Sequence, residues 1–221
     1  DAFSIAPNYL RGTLKRLTLE MRLNDTHILA VSRLTGLQAL WMRSSGGHSK
    51  LAPLARLQNL IELWLSENLA NVEPSWLTAL RNLEVLHLDV VPADAGMLPP
   101  SMKQLFIMRV TLDGLQRLAG GQLPLNLLDI TTFSRGSSSV GWEVLPSVFS
   151  AMMSTRPQLC VKITAVDATA DFDSFFEASQ HVPAFTNSFK GLIVAGGLRP
   201  DVCARLSALC KSMDTLALLN C

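Results

Sequence analysis

The sequence has few charged residues. Asp, Glu, Lys and Arg make up 17% of its 221 residues, whereas about 25% is usual for a soluble domain. This scarcity suggests that part of the surface is covered by further chain or by a partner. The net charge is only +1, so no broad basic field points to nucleic acid as the partner.

Long apolar runs are also missing, because charge or proline interrupts them within about ten residues, and no span of roughly 20 apolar residues remains to cross a membrane. The four cysteines are Cys160, Cys203, Cys210 and Cys221. They form no Cys-x-x-Cys pair and no compact framework, which favours a reduced, intracellular compartment. The sequence starts at Asp1 with no signal-peptide pattern, so we expect a fragment of a longer chain.

Motifs for catalysis or cofactor binding are absent as well. The four histidines are His27, His48, His87 and His181, and none has a Cys, Asp or Glu at a convincing metal-ligand spacing. The Gly-Gly pairs belong to no phosphate-binding motif, and the serine run 137–139 lacks a nucleophile-elbow pattern. We therefore expect no enzyme activity, no metal and no cofactor.

What the sequence does contain is an internal repeat. The pattern Leu-x-x-Leu-x-Leu, in which Ile and Met replace Leu, begins at Leu14, Leu37, Leu60 and Leu83, each 23 residues after the last. Further copies begin at 102, 125 and 213, and degenerate copies at 159 and 189. The apolar residues at positions four and six alternate as in a half-buried strand, and helical spacing follows each copy. Strands joined by such return paths run parallel and bury a shared core by stacking.

These copies resemble the leucine-rich repeat family. The resemblance implies an α/β fold, a right-handed solenoid or horseshoe with a parallel sheet on its concave side. We expect a single domain over 1–221 with about nine repeats. Residues 1–132 would form shorter repeats with irregular return paths, and residues 133–221 longer, helical ones. The Asn that usually follows each strand of the family survives only as Asn68, so the turns must be irregular or satisfied by other groups.

The second half carries four more specific expectations. The polar, small-residue segment 133–139 is typical of a loop. A helix is predicted with Trp142, Leu145, Val148, Phe149 and Met152 on one face. Asp171 or Asp173 is placed to cap a second helix, and Pro200 to begin a third that buries Cys203 and Cys210.

The fifth position of the central copies is the main clue to function. It carries Trp41, Trp64, His87 and Phe106, and positions three, five and seven of a copy point away from the core because side chains alternate along a strand. Neighbouring strands lie about 4.8 Å apart, so these rings would form a contiguous exposed column. Charged residues at positions three and seven flank it: Arg43, Glu62 and Asp89.

A contiguous exposed aromatic patch usually marks an interaction site, so we expect a non-catalytic module that binds a protein partner through this column. Rings that only stack laterally and stiffen the sheet are an alternative structural interpretation. A scaffold subunit embedded in a larger complex is a second functional hypothesis. The resemblance also allows a third, the substrate-recognition part of a ubiquitin-ligase-type complex.

Overall fold

The computed structural model of the protein describes residues 10–21, 23–43, 50–66, 74–92, 94–133, 144–165, 177–179, 181, 191–195, 201, 204 and 215–219. The chain divides into two compact units, residues 1–105 and 106–221.

The first unit is built on four parallel strands, whose bounds are β1 (Arg16–Glu20), β2 (Ala39–Arg43), β3 (Glu62–Leu65) and β4 (Val85–Val90). They pair in sequence order, with Leu17 beside Leu40, Leu40 beside Leu63 and Leu63 beside Leu86. Each aligned residue lies 23 positions after the last, because the sequence repeat sets the register of the sheet. Each strand begins at the third position of its copy, as the alternation predicts.

Positions four and six of these copies form the core. Leu40, Leu63 and Leu86 are fully buried, as are Leu37, Leu60 and Leu83 at the first position of their copies. Burying one Leu side chain contributes about 1.5–3 kcal/mol, so a ladder of stacked leucines is the main source of stability. Ala39 at position three is only 7% exposed, because its small side chain lies below the larger residues around it.

The return paths of the first unit are short. They comprise α1 (Leu10–Thr13), α2 (Asp25–Val31) and the 3₁₀ helices Ala52–Arg56, Pro74–Ala79 and Ala95–Met97. The Asn24 side chain accepts a hydrogen bond from the His27 N–H, and the His27 ring accepts one from the Asn24 N–H. This reciprocal capping fixes the start of α2. The last of these 3₁₀ helices ends at Met97, and the backbone becomes extended at Leu98.

The turns that lead into the strands are held by side chains that donate to the preceding repeat. Asn59 Nδ2 donates to the Thr35 carbonyl at 2.9 Å, and Asn82 Nδ2 donates to the Gln58 carbonyl at 2.8 Å. These asparagines lie before the strand, not after it as in the resembled family.

The second unit contains the strands β6 (Leu127–Phe133), β7 (Cys160–Ala165), β8 (Gly191–Ala195) and β9 (Thr215–Leu219). They also pair in sequence order and in parallel. Strand β5 (Gln104–Val110) spans the boundary between the units. The helices of the second unit are α3 (Leu112–Gly120) and α4 (Leu145–Thr155). The second of them, α4, confirms the helix predicted around Leu145.

An unpredicted arginine joins the ends of these two helices. Arg156 follows α4 and is only 7% exposed. Its guanidinium donates to the carbonyls of Leu118 and Gly121 at the end of α3, to Leu123 beyond it, and to Met152 in α4. Each of these carbonyls belongs to a helix end or turn that lacks its helical donor. Burial lowers the pKa of Arg156 from its ordinary value.

The α/β class with parallel strands is therefore confirmed. In each unit the strands pair in a row that does not close on itself. Several predictions fall outside the described residues: the loop over 134–139, the helix near Asp171 and Asp173, the helix carrying Cys203 and Cys210, and the Asn68 turn. Within the described residues, no helix is long and apolar enough to cross a bilayer.

Candidate functional site

The first three members of the predicted aromatic column lie side by side in the first unit. The register aligns Trp41 on β2 with Trp64 on β3, and Trp64 with His87 on β4. The ring centroids of Trp41 and Trp64 are 5.1 Å apart at an interplanar angle of 54°. Trp64 and His87 stack with centroids 4.4 Å apart at 9°. We call Trp41, Trp64 and His87 the aromatic row.

Much of the aromatic row faces solvent. Trp41 is 41% exposed and Trp64 38% exposed, and His87 is half-buried. The preceding and following residues of each strand lie in the core, because Leu40, Met42, Leu63 and Leu65 are buried. The rings are thus anchored on a rigid sheet while their outer surfaces stay in water. Contiguous exposed apolar surface of this kind is typical of interaction sites.

Phe106, the fourth predicted member, lies on β5 and belongs to the second unit, where it is half-buried. Two residues later Met108 is 47% exposed, as expected for side chains on the same side of a strand. That Phe106 continues the aromatic row stays a prediction.

The flanking charges differ in how they are held. Glu62 Oε1 accepts a hydrogen bond of 2.9 Å from Trp41 Nε1, which fixes the carboxylate beside the indole. Arg43 is exposed, and the register places it beside Glu20 on β1. Asp89 is half-buried on β4. The structure therefore ties one of the three predicted flanking residues, Glu62, directly to the aromatic row.

A small open recess of about 160 Å³ lies at the β1 side of the row. It exists because Ala39 is small, so that the sheet surface dips between the longer side chains on β1 and β3. Its lining residues are Arg16, Leu17, Thr18, Ala39, Trp41 and Glu62. The sequence pattern did not single out this recess. Its signal was the small Ala39 between the longer Arg16 and Glu62 at the third position of three successive copies.

On two strands of the second unit, β6 and β7, the sheet carries an ion pair. Lys162 Nζ lies 2.9 Å from Asp129 Oδ2, on aligned residues of β7 and β6. Asp129 is buried, contrary to the outward exposure expected of its position, and the bridge to Lys162 compensates the cost of burying its charge.

Cys160 adjoins this pair and is free and half-buried. Burial, and secondarily the negative charge of Asp129, raise the pKa of the Cys160 thiol. A raised pKa keeps the sulfur protonated, which is the opposite of what a nucleophilic cysteine requires. Among the described residues, no group of three or more His, Cys, Asp or Glu side chains is placed to hold a metal ion.

A larger recess of about 600 Å³ lies in the second unit, between the turns that follow α3 and α4. Residues 119–126 and 155–158 line it, Arg156 among them. The Arg156 guanidinium is already engaged by the carbonyls described above, so its charge stabilises the fold and is not offered to a ligand.

The chain matches no protein-family model and no curated protein at a significant level of similarity. The site is therefore interpreted from its own geometry and chemistry.

Proposed function

We propose that this protein is an intracellular, non-catalytic leucine-rich-repeat module, a right-handed solenoid of about nine repeats that binds a protein partner. The aromatic row is the docking surface, Phe106 is a further contact residue for the partner, and Arg43, Glu62 and Asp89 orient the partner. The observation that carries the proposal is the stack of exposed rings Trp41, Trp64 and His87 on a buried leucine frame.

The energetics support a docking role for these rings. Trp is enriched among the interface residues whose truncation costs about 2 kcal/mol or more. The two indoles are already ordered by each other, by His87 and by Glu62. A partner that covers them therefore loses little side-chain entropy on their account. Lateral stacking stiffens the sheet as well, but it leaves the outer ring surfaces in water.

A scaffold subunit within a larger complex is the second candidate, favoured by the charged content of only 17%. A module that works alone stays monodisperse when purified, whereas an embedded subunit aggregates or co-purifies with fixed companions. Light scattering of the purified protein separates the two.

The docking role is tested by comparing two double variants in affinity capture from native extract, followed by titration of the captured partner in purified form. Trp41→Ala/Trp64→Ala removes the row. Leu29→Ala/Ile61→Ala is the matched control, since Leu29 and Ile61 are 46% and 41% exposed in the same unit but outside the row. Circular dichroism first establishes that both variants fold.

The expected result is that the tryptophan variant binds its partner at least about 30-fold more weakly, as the loss of one 2 kcal/mol contact requires, while the control binds as the wild type does. Equal binding by all three proteins would show that the row is structural. Equal weakening by both variants would show that general apolar surface, not the row, attracts the partner.

A further inference from the structure

Glu62 is a carboxylate set between two exposed indoles with no cation aligned beside it. The residues in register with Glu62 are Ala39 on β2 and Val85 on β4, neither of which carries a charge. By contrast, Glu20 is aligned with Arg43, and Glu84 forms a 2.7 Å salt bridge with Lys103. The residues aligned with Glu62 therefore do not balance its negative charge.

The position of that carboxylate relative to the rings is fixed. Trp41 Nε1 donates to one oxygen of Glu62 at 2.9 Å, which places the negative charge at the edge of the Trp41 indole. The face of an indole carries negative electrostatic potential and attracts cations. Trp41 and Glu62 both line the same small recess, so an indole and a carboxylate lie within reach of one ligand group.

We propose that this recess takes one cationic side chain of the protein partner, an arginine or a lysine, stacked on Trp41 and hydrogen-bonded to Glu62. The proposal rests on the docking role of the aromatic row and names the chemical group that docks. Arginine fits best, because a planar guanidinium stacks on an aromatic face and still directs N–H donors toward a neighbouring carboxylate.

Arg16 on the opposite wall makes an anionic occupant the main competitor. It is exposed, and within the part of the chain that the structure describes, no hydrogen bond to its side chain is found. Its charge must be ordered when an anion binds, whereas Glu62 is held in advance by Trp41. Binding to a group that is already ordered costs less entropy, and that group is Glu62. The recess therefore favours a cation over an anion.

The test uses the intact protein with ¹⁵N-labelled tryptophan, whose four indole N–H groups give four resonances; Trp41→Phe and Trp64→Phe assign two of them. The probes are the acetylated, amidated tripeptides Gly-Arg-Gly, Gly-citrulline-Gly and Gly-Glu-Gly at millimolar concentration. Citrulline has nearly the shape of arginine without its charge. The expected result is a saturable shift of the Trp41 indole resonance with the arginine peptide, and little with the other two.

Two matched variants separate the charges of the recess. Glu62→Gln removes the carboxylate charge at nearly constant shape and is expected to weaken the arginine peptide by about two- to fivefold, the loss of one exposed charge contact. Arg16→Gln removes the opposing cation and is expected to leave binding unchanged or tighter. Added salt should weaken the binding to wild type and have less effect on Glu62→Gln.

Three outcomes would overturn the proposal: no shift with the arginine peptide, equal shifts with arginine and citrulline, or binding of the glutamate peptide that Arg16→Gln abolishes. Each is distinguishable from failure of the docking role. If the tryptophan variant loses its partner but the arginine peptide does not bind, the row docks a group other than a cation. If the tryptophan variant keeps its partner, the docking role itself fails.

Discussion

At the scale of single residues, Gly36 shows how closely the repeats approach one another. Its N–H donates to the Arg11 carbonyl at 2.7 Å. A Cβ at this position would lie 2.5 Å from the Gly12 carbonyl oxygen and 2.9 Å from that of Arg11. Both groups are main chain, which moves only if the turn and α1 separate.

Replacement of Gly36 by Ala is expected to destabilise the protein by about 1–3 kcal/mol, the usual cost of forcing extra atoms into a packed site. Gly12→Ala is the control, because nothing lies within 4 Å of a Cβ there and alanine favours a helix. Urea denaturation of the two variants measures the difference. Equal stability of Gly36→Ala and wild type would show that the turn opens without cost.

Arg156 is the second residue whose role is set by its surroundings. Its guanidinium donates to four main-chain carbonyls, those of Leu118, Gly121, Leu123 and Met152. Hydrogen bonds from charged groups contribute about 1.5–3 kcal/mol each. Arg156→Met is expected to lower the free energy of unfolding by about 3 kcal/mol, because buried carbonyls lose their donor.

Arg156→Lys keeps the charge but has no planar fork to reach several carbonyls at once, so an intermediate loss is expected in the same denaturation experiment. If the methionine variant were as stable as the wild type, water or other donors would satisfy these carbonyls. The sequence offered little sign of this role, since one arginine before a proline is common on protein surfaces.

At the scale of elements, the strands were predictable and the connections only partly so. The 23-residue spacing and the alternation of Leu40 with Trp41 and of Leu63 with Trp64 specify strand position, face and register together. The return paths carry apolar residues at helical spacing, but that spacing does not separate an α-helix from a 3₁₀ helix. Tertiary packing decides between the two helix types. The return path of one repeat therefore forms the α-helix α2, whereas the equivalent place in the next repeat forms the 3₁₀ helix Ala52–Arg56.

The asparagines before β3 and β4 join the turns of neighbouring repeats by hydrogen bonds. Asn59→Ala and Asn82→Ala are each expected to cost about 0.5–1.5 kcal/mol, the net contribution of one hydrogen bond. Asn82→Asp is expected to cost more than Asn82→Ala, because it turns an acceptor toward the Gln58 carbonyl. Thermal unfolding ranks the variants, with the exposed Gln38→Ala as control. An aspartate variant as stable as wild type would contradict this role.

At the scale of the whole molecule, each strand of the first unit contacts its neighbours in order, so its stability is expected to be local. Leu63→Ala removes a fully buried side chain and should cost about 2–5 kcal/mol. Because repeats couple mainly to their nearest neighbours, hydrogen exchange should increase in β2, β3 and β4 more than in α4. A uniform increase over both units would show that the chain unfolds in one step.

The candidate site was predictable to the same extent as the strands that carry it. Register alone aligned Trp41, Trp64 and His87, because it depends only on the repeat length. The hydrogen bond from Trp41 to Glu62 was not predictable, since it depends on side-chain rotamers. The burial of Asp129 depends on its bridge to Lys162.

The most direct test of the docking role is hydroxyl-radical footprinting of the protein alone and with its captured partner. Our account predicts that the partner protects Trp41 and Trp64 severalfold from oxidation, while Leu29 and Ile61, equally exposed in the free protein, react as before. Unchanged oxidation of both tryptophans in a saturated complex, with protection elsewhere on the chain, would contradict it.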